Sequence, residues 1–196
     1  MSRAKHAIVS LFAASTIAVL STACEDDTNA KPQVIFTGTT REVSGKDCRD
    51  STTHFDVGDF GNPNAKPPTA STPVPTGEAS GQGTADVSCS VTAAGPDTFN
   101  VSGTVVLSGA TGGLFTISGQ FKTSGDQTAH VRLSGKLSAN TYNDTDSCVV
   151  KYSEQNMGVA AGRVWGVVTC TNAVNTADSN RACGIEAQFR FENCTQ

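Results

Sequence analysis

One short pattern occurs three times in the chain: Phe99-Asn100-Val101-Ser102-Gly103, Phe115-Thr116-Ile117-Ser118-Gly119 and Val131-Arg132-Leu133-Ser134-Gly135. Consecutive units begin 16 residues apart. Within each unit, large apolar residues alternate with polar ones, which is the period of a strand with one buried face. The repeated mid-strand glycine predicts a bulge or a bend that lets the sheet curl. We therefore expect an antiparallel meander at the centre of a curved sandwich or partial barrel.

A fixed period is also typical of a β-solenoid, in which equivalent strands stack as rungs. The segments on either side of the three units do not continue the repeat, and the second halves of the units diverge. Three units are also the minimum for a stable solenoid. The meander is therefore the favoured interpretation.

Strand-like segments continue on both sides of the repeat, and no segment after residue 24 shows a helical period. The predicted flanking strands are Gln33 to Thr37, Thr52 to Val57, Asp86 to Thr92, Ser147 to Tyr152, Gly162 to Thr171 and Gly184 to Glu192. Together with the repeat they make about nine strands. The fold class predicted from the sequence is all-β.

Residues 61–84 interrupt this pattern with five prolines among Thr, Ser, Ala and Gly. That composition predicts a flexible loop that cannot pack a core. The piece before it, residues 32–60, is too small to fold alone, so we expect Cys48 to cross-link it to the main body. Residues 32–196 then form a single β domain.

The chain contains seven cysteines, an odd number. If Cys24 is modified, six remain to form three disulfides, as an exported chain favours. Six cysteines allow 15 pairings, and spacing alone does not choose among them. The polar stretch between Cys170 and Cys183 reads as a loop, so we predict a disulfide between these two. The disulfide candidates are Cys48, Cys89, Cys148, Cys170, Cys183 and Cys194.

The N-terminus reads as an export signal covering residues 1–23, with a basic start and an apolar run that ends in small residues. The segment Ser21-Thr22-Ala23-Cys24 resembles the lipobox of bacterial lipoproteins, although Ser21 holds a place that is usually Leu. The resemblance implies a lipid on Cys24 and a membrane anchor. Residues 24–31 would then be the lipidated cysteine and a polar tether. The alternative is an ordinary cut that yields a secreted protein with an unpaired thiol.

Two further segments, Val87-Ser88-Cys89-Ser90-Val91-Thr92-Ala93-Ala94-Gly95 and Phe189-Arg190-Phe191-Glu192-Asn193-Cys194, resemble the small lipoprotein antigens of mycobacteria. In those proteins too, cysteines lie at both ends of a β-rich domain. The four other cysteines and the 16-residue period depart from that family. The resemblance implies a surface antigen without an assigned catalytic activity.

Charge and composition exclude some partners. The chain has 14 Lys and Arg against 18 Asp and Glu, a formal charge of −4, and loses Arg3 and Lys5 with the signal. An acidic surface does not favour nucleic acid or anionic lipid head groups. We therefore expect no nucleic-acid partner, and membrane contact only through the anchor.

Candidate chemistry in the sequence is sparse. His54, Asp56 and Asp59 have a spacing that suits metal ligands, but a solvated strand followed by a turn explains them as well. Asn143 to Asp146 cluster oxygen ligands in a predicted turn, without the glycine and glutamate of a calcium loop. His130 is expected to be an exposed strand residue, and acid chemistry among Asp56, Asp59 and Glu154 has no supporting spacing. We predict no metal, no cofactor and no enzyme.

Two functional classes remain. The first is a non-catalytic envelope or surface protein that binds a protein or a glycan. The second is a carrier whose curled sheet encloses a small apolar ligand, with Trp165, the single tryptophan, lining the cavity. A wide lumen would favour the carrier, whereas a filled core with polar loops would favour the binding protein.

Overall fold

The structure is a computed structural model that describes residues 30–48, 54–81, 83–109, 112–135 and 140–196, without the side chains of residues 144–147. The predicted signal, Cys24 and most of the tether lie outside the described residues. The described part of the chain contains no helix, and twelve strands form its fold. Those strands are β1 (Gln33–Arg41), β2 (His54–Val57), β3 (Val74–Pro75), β4 (Ala79–Ser80), β5 (Gly83–Gly95), β6 (Thr98–Leu107), β7 (Gly113–Lys122), β8 (Gln127–Gly135), β9 (Thr141–Lys151), β10 (Gly158–Ala160), β11 (Arg163–Asn175) and β12 (Ala182–Glu192).

All named strands belong to one antiparallel arrangement, in the order β2-β1-β12-β11-β9-β8-β7-β6-β5-β4, with β10 beside β11 and β3 beside β1. The predicted all-β class is confirmed, and the strand count exceeds the nine expected. All six predicted flanking strands are present, mostly longer than expected. The three additional strands, β3, β4 and β10, have two or three residues each.

The sheet curls until its two ends meet at β5. Gly77 follows β3, the strand that pairs with β1. Its backbone N donates to Ala85 O near the start of β5, at 2.7 Å. Further along, Val91 N donates to Thr195 O at 2.9 Å in the segment that follows β12. The eight long strands therefore form a closed wall, in which the free edges that invite aggregation are covered.

Side chains fill the interior of this barrel. The ring of Phe36 lies 4.6 Å from that of Phe55 and 4.5 Å from that of Phe115, centroid to centroid, so β1, β2 and β7 meet across the core. Phe115, Phe189 and Phe191 are 0% exposed. Buried residues from every long strand join one continuous cluster. An eight-stranded barrel is the size that side chains can just fill.

The 16-residue repeat forms the meander that the sequence predicted. In this antiparallel register Val105 lies opposite Phe115, and Ile117 lies opposite Val131. The apolar positions Val101 and Leu133 are buried, as alternation requires. The solenoid alternative is wrong, because antiparallel neighbours cannot stack as equivalent rungs.

The mid-strand glycine of β6 has a different role from the predicted bulge. Gly103 pairs without a register shift on both sides. A Cβ at this position would lie 2.8 Å from Cε2 of Phe191. The glycine therefore makes room for an aromatic ring from the far side of the barrel. The register shifts between paired strands fall elsewhere, including one between Ala93 and Gly95.

The six described cysteines form three disulfides, which is the number predicted. The pairs are Cys48–Cys183, Cys89–Cys194 and Cys148–Cys170. The predicted Cys170–Cys183 bond is wrong: Cys170 lies opposite Cys148 on β9, whereas Cys183 reaches back to Cys48. Cys48 thus cross-links the N-terminal piece to β12, as the sequence suggested.

The proline-rich segment at 61–84 contributes to the fold more than its composition predicted. Val74 is only 9% exposed and belongs to the core, so the expectation that this segment packs nothing is wrong there. Residues 59–72 form a short hairpin, which we call the arm. Its two rungs join Asp59 to Thr72 and Asn62 to Thr69.

Candidate functional site

A cleft of about 720 Å³ lies on the outer wall of the barrel, between the arm and strands β11 and β12. Its floor comes from outward positions of the two strands, since Val164 and Phe191 point into the core while their neighbours point outward. Register places Trp165 directly opposite Arg190. The cleft is therefore built from side chains that the strand period aims away from the core.

Trp165 is the aromatic centre of this cleft. The Phe60 ring from the arm stacks near it, with centroids 6.2 Å apart and planes 19° apart. The guanidinium carbon of Arg190 lies 5.2 Å from the centroid of the indole, a cation–π contact. These two neighbours hold the indole between the arm and the wall.

The Arg190 side chain is fixed by polar partners on both sides. Its Nη2 donates to Glu192 Oε1 at 2.6 Å, and its Nη1 donates to Ser71 Oγ of the arm at 3.2 Å. The other carboxylate oxygen of Glu192 accepts from Gln33 Nε2 at 2.9 Å. The charges of Arg190 and Glu192 thus compensate each other, and Ser71 links the arm to the wall.

The indole N–H of Trp165 is buried and has no hydrogen-bond acceptor among the described residues. Buried donors are nearly always paired, because an unpaired one costs roughly 1–3 kcal/mol. This donor is therefore an unusual feature of the cleft and a point at which a ligand acceptor would be stabilising.

The arm holds its shape through local hydrogen bonds. Asp59 Oδ1 accepts from Gly61 N at 2.7 Å, and Asn62 Oδ1 accepts from Asn64 N at 2.9 Å. Short polar side chains that bond to the backbone two residues on are the usual means of stabilising turns. In this way the proline-rich sequence presents Asn62 and Asn64 on the rim of the cleft.

Trp165 does not lie where the carrier hypothesis predicted. The carrier alternative placed it inside a lumen, yet Trp165 lies on the outer wall and the interior around Phe115 and Phe189 is filled. In the strand Arg163–Asn175, apolar residues occur on both faces. Its sequence therefore does not show which face points into the core. A clearer signal was available in β12, where Gln188, Arg190 and Glu192 alternate with buried residues.

The other candidate groups remain dispersed. His54 Nε2 lies 2.7 Å from Asp56 Oδ2, but Asp59 is turned toward the backbone of the arm. No group of three possible metal ligands occurs among the described residues. Glu154 lines the main cleft, whereas Asp56 and Asp59 line a separate one of about 410 Å³ beside β4.

Two further predictions concerned His130 and residues 143–146. His130 is exposed in β8, as predicted. Residues 143–146 lie within β9 and not in a turn, so the turn predicted for the calcium hypothesis is wrong. No helix in the described part of the chain is long and apolar enough to span a membrane.

Comparisons with known proteins do not identify the chain. No protein-family model, no curated protein and no solved structure matches it. The likeness to mycobacterial lipoprotein antigens therefore rests on the sequence segments alone, and any functional conclusion rests on the site.

Proposed function

We propose that this chain is a non-catalytic binding protein that is exported and held at a bacterial membrane through a lipid on Cys24. The cleft over Trp165 is its binding site, and a component of the cell envelope or surface is its ligand. The single observation that carries the proposal is a filled, cross-linked barrel with a cleft of about 720 Å³ on its outer wall.

Three disulfides support export. All six described cysteines are paired, and such bonds persist in oxidising compartments and are rare in the bacterial cytosol. The seventh cysteine of the chain, Cys24, lies outside the described residues. A lipid on Cys24 would account for that odd number, as the lipobox-like Ser21-Thr22-Ala23-Cys24 suggests.

The filled interior favours a surface binding protein over the carrier. The ring of Phe36 contacts those of Phe55 and Phe115 across the barrel, where a carrier would need space for its ligand. The partly buried carboxylate of Glu192 in the outer cleft supports binding over catalysis. Both oxygens of Glu192 are occupied by hydrogen bonds, so this group serves to hold Arg190 and Gln33 in place.

The test is an intact-mass measurement on protein from the membrane fraction of its own host, before and after reduction and alkylation. We expect a chain that starts at Cys24, carries acyl mass and gains six alkylated thiols only after reduction. A Cys24→Ala variant should leave the membrane fraction while keeping its three disulfides. Unmodified wild-type protein in the culture fluid would replace the anchored form with the secreted alternative, and free thiols in a cytosolic chain would overturn export.

A further inference from the structure

The chemistry of the outer cleft indicates its class of ligand. We propose that the cleft binds an uncharged segment of a glycan, with Trp165 as the platform on which a sugar ring stacks. This inference rests on the proposed function and deepens it by naming the ligand class. The cleft combines one indole whose N–H is unpaired among the described residues with a lining of carboxamides and compensated charges.

The polar groups of the cleft suit sugar hydroxyls. Carboxamide side chains line it from three separate parts of the chain: Asn62 and Asn64 on the arm, Asn156 before β10, and Gln188 on β12. A carboxamide both donates and accepts hydrogen bonds, as a hydroxyl does. A set of such groups around one cleft matches a ligand with many hydroxyls, whereas a single carboxylate or phosphate would require unopposed donors.

The charges of the cleft argue for an uncharged ligand. Arg190 and Glu192 form a contact of 2.6 Å, and each has only about a fifth of its side chain exposed, at 24% and 18%. Arg163 and Glu154 add one further charge of each sign at the rim. An anionic or cationic ligand would have to compete with the pair that already exists, and an uncharged one would not.

The aromatic groups supply the apolar part of the recognition. Sugar rings have C–H faces that pack against aromatic planes, while their hydroxyls remain at the edge for hydrogen bonding. Arg190 and Phe60 hold the Trp165 ring in position, so little side-chain entropy is lost when a ligand binds. Trp165 is partly exposed, so the sugar would pack against the part of the indole that Phe60 and Arg190 leave uncovered.

The unpaired indole N–H adds a specific point of contact. Its nitrogen is shielded from solvent, so a ligand oxygen reaches it only when a neighbouring side chain moves. That movement is favoured because the unbound donor has no partner among the described residues. Binding should therefore change the surroundings of Trp165, which is the only tryptophan and hence the only source of indole fluorescence.

The experiment uses the full mature protein extracted in detergent from its own host. The probes are uncharged oligosaccharides released from the envelope polysaccharide of that host, size-fractionated and titrated against Trp165 fluorescence and in a calorimeter. We expect a saturable spectral shift and measurable heat. Trp165→Ala should abolish the heat, and Trp165→Phe, which keeps a ring and removes the N–H, should weaken binding about tenfold.

A matched control is available on the opposite side of the barrel. Asn100 is an exposed outward carboxamide on β6, so Asn100→Ala should leave the affinity unchanged, whereas Asn62→Ala on the arm should weaken it about tenfold. Circular dichroism would confirm that each variant is folded.

Three results would overturn the glycan proposal. They are no heat with any uncharged oligosaccharide, binding restricted to acidic oligosaccharides, and binding only to a purified envelope protein. Equal weakening by Asn62→Ala and Asn100→Ala would also overturn the location of the site. None of these results alters the acyl mass on Cys24, so failure of the glycan proposal is distinguishable from failure of the proposed function.

Discussion

The two sides of the barrel differ in how exposed their outward side chains are. On the meander of β6, β7 and β8, outward residues such as Asn100 and Arg132 are exposed, and the apolar side chain of Val106 is 39% exposed. On the wall of β1, β12 and β11, the arm and its polar contacts cover the outer face. There Ile35, which faces away from the core beside Arg190, is 0% exposed.

The contrast separates residues that build the fold from residues that build a site. The meander needs only alternation, because one face fills the core and the other meets water. The opposite wall has large side chains, Trp165 and Arg190, at outward positions where small polar side chains would satisfy the fold. Such placement exposes apolar area unless something covers it, and the arm covers part of it here through Phe60.

The largest expected effect comes from comparing one phenylalanine on each side. Phe115→Ala removes a fully buried ring that contacts Phe36 and Phe189, and should lower the free energy of unfolding by about 3–5 kcal/mol. Phe60→Ala, on the half-exposed arm, should cost about 1 kcal/mol or less. Urea unfolding followed by circular dichroism measures both.

Equal losses of unfolding free energy in Phe115→Ala and Phe60→Ala would contradict the view that the meander builds the fold and the arm builds the cleft. They would mean that the arm is as much a part of the cooperative fold as the meander. A large loss of oligosaccharide binding in Phe60→Ala at near-normal stability would sharpen the contrast, since Phe60 stacks near Trp165.

The next effect concerns the disulfides that join distant parts of the chain. Cys48–Cys183 closes a sequence separation of 135 residues, whereas Cys148–Cys170 closes 22. Replacing both cysteines of a pair by alanine should cost roughly 2–4 kcal/mol in each case. Because a longer loop loses more entropy when it is closed, removing Cys48–Cys183 should cost about 1.5 kcal/mol more.

Thermal and urea unfolding of the two double variants test that order. The reverse order would show that strain or residual structure in the unfolded chain outweighs loop entropy. Free-thiol titration of each double variant should show that the four remaining cysteines of the barrel are still paired.

Sequence alone could predict much of the meander and little of the site. Alternation at Val101, Ile117 and Leu133 reports burial directly, because the same side of each strand faces one core. The pairing of Cys170 depended on which strands become neighbours, and β9 lies beside β11 although β10 comes between them in the chain. No local pattern contains that information.

The cleft was harder to predict for a related reason. Trp165 lies in a strand with apolar residues on both faces, and its partners come from residues more than 20 positions away, such as Arg190 and Phe60. The arm carries prolines that read as flexible chain, yet its turns are held by Asp59 and Asn62 side chains. The assembly of these elements is a tertiary property.

A smaller effect tests why the meander carries a glycine. Gly103→Ala would place a Cβ 2.8 Å from the Phe191 ring and should destabilise the protein by about 1–2 kcal/mol. Gly95→Ala is the matched control, since its Cβ would meet Thr98 at an ordinary 3.8 Å. Urea unfolding should find the control within about 0.5 kcal/mol of wild type.

A second substitution distinguishes crowding from a loss of backbone freedom. If crowding is the cause, Phe191→Leu should be less harmful in the Gly103→Ala background than in wild type, because the smaller side chain leaves room for the methyl group. Simple addition of the two losses would instead favour a backbone requirement at Gly103 and would restore the predicted bend as its role.

The smallest effect is a pH dependence on the meander side. Burial raises the pKa of Tyr152 to about 12, from an ordinary value of 10.0, and its hydroxyl donates to Lys122 O of β7 at 3.1 Å. The folded state therefore keeps the Tyr152 proton at pH values where the unfolded chain has released it. This contribution to stability is present below pH 10 and is lost as the pH rises toward about 12.

Ultraviolet titration of tyrosinate checks the prediction, because the chain has only two tyrosines and Tyr152→Phe leaves Tyr142 alone. We expect Tyr152→Phe to remove one ionisation and to flatten the decline of stability between pH 10 and 12. No cleft residue takes part in this ionisation, so oligosaccharide binding below pH 10 should be the same in Tyr152→Phe as in wild type. A change in binding would mean that the meander and the cleft wall are coupled, and the separation of fold-building from site-building residues would fail.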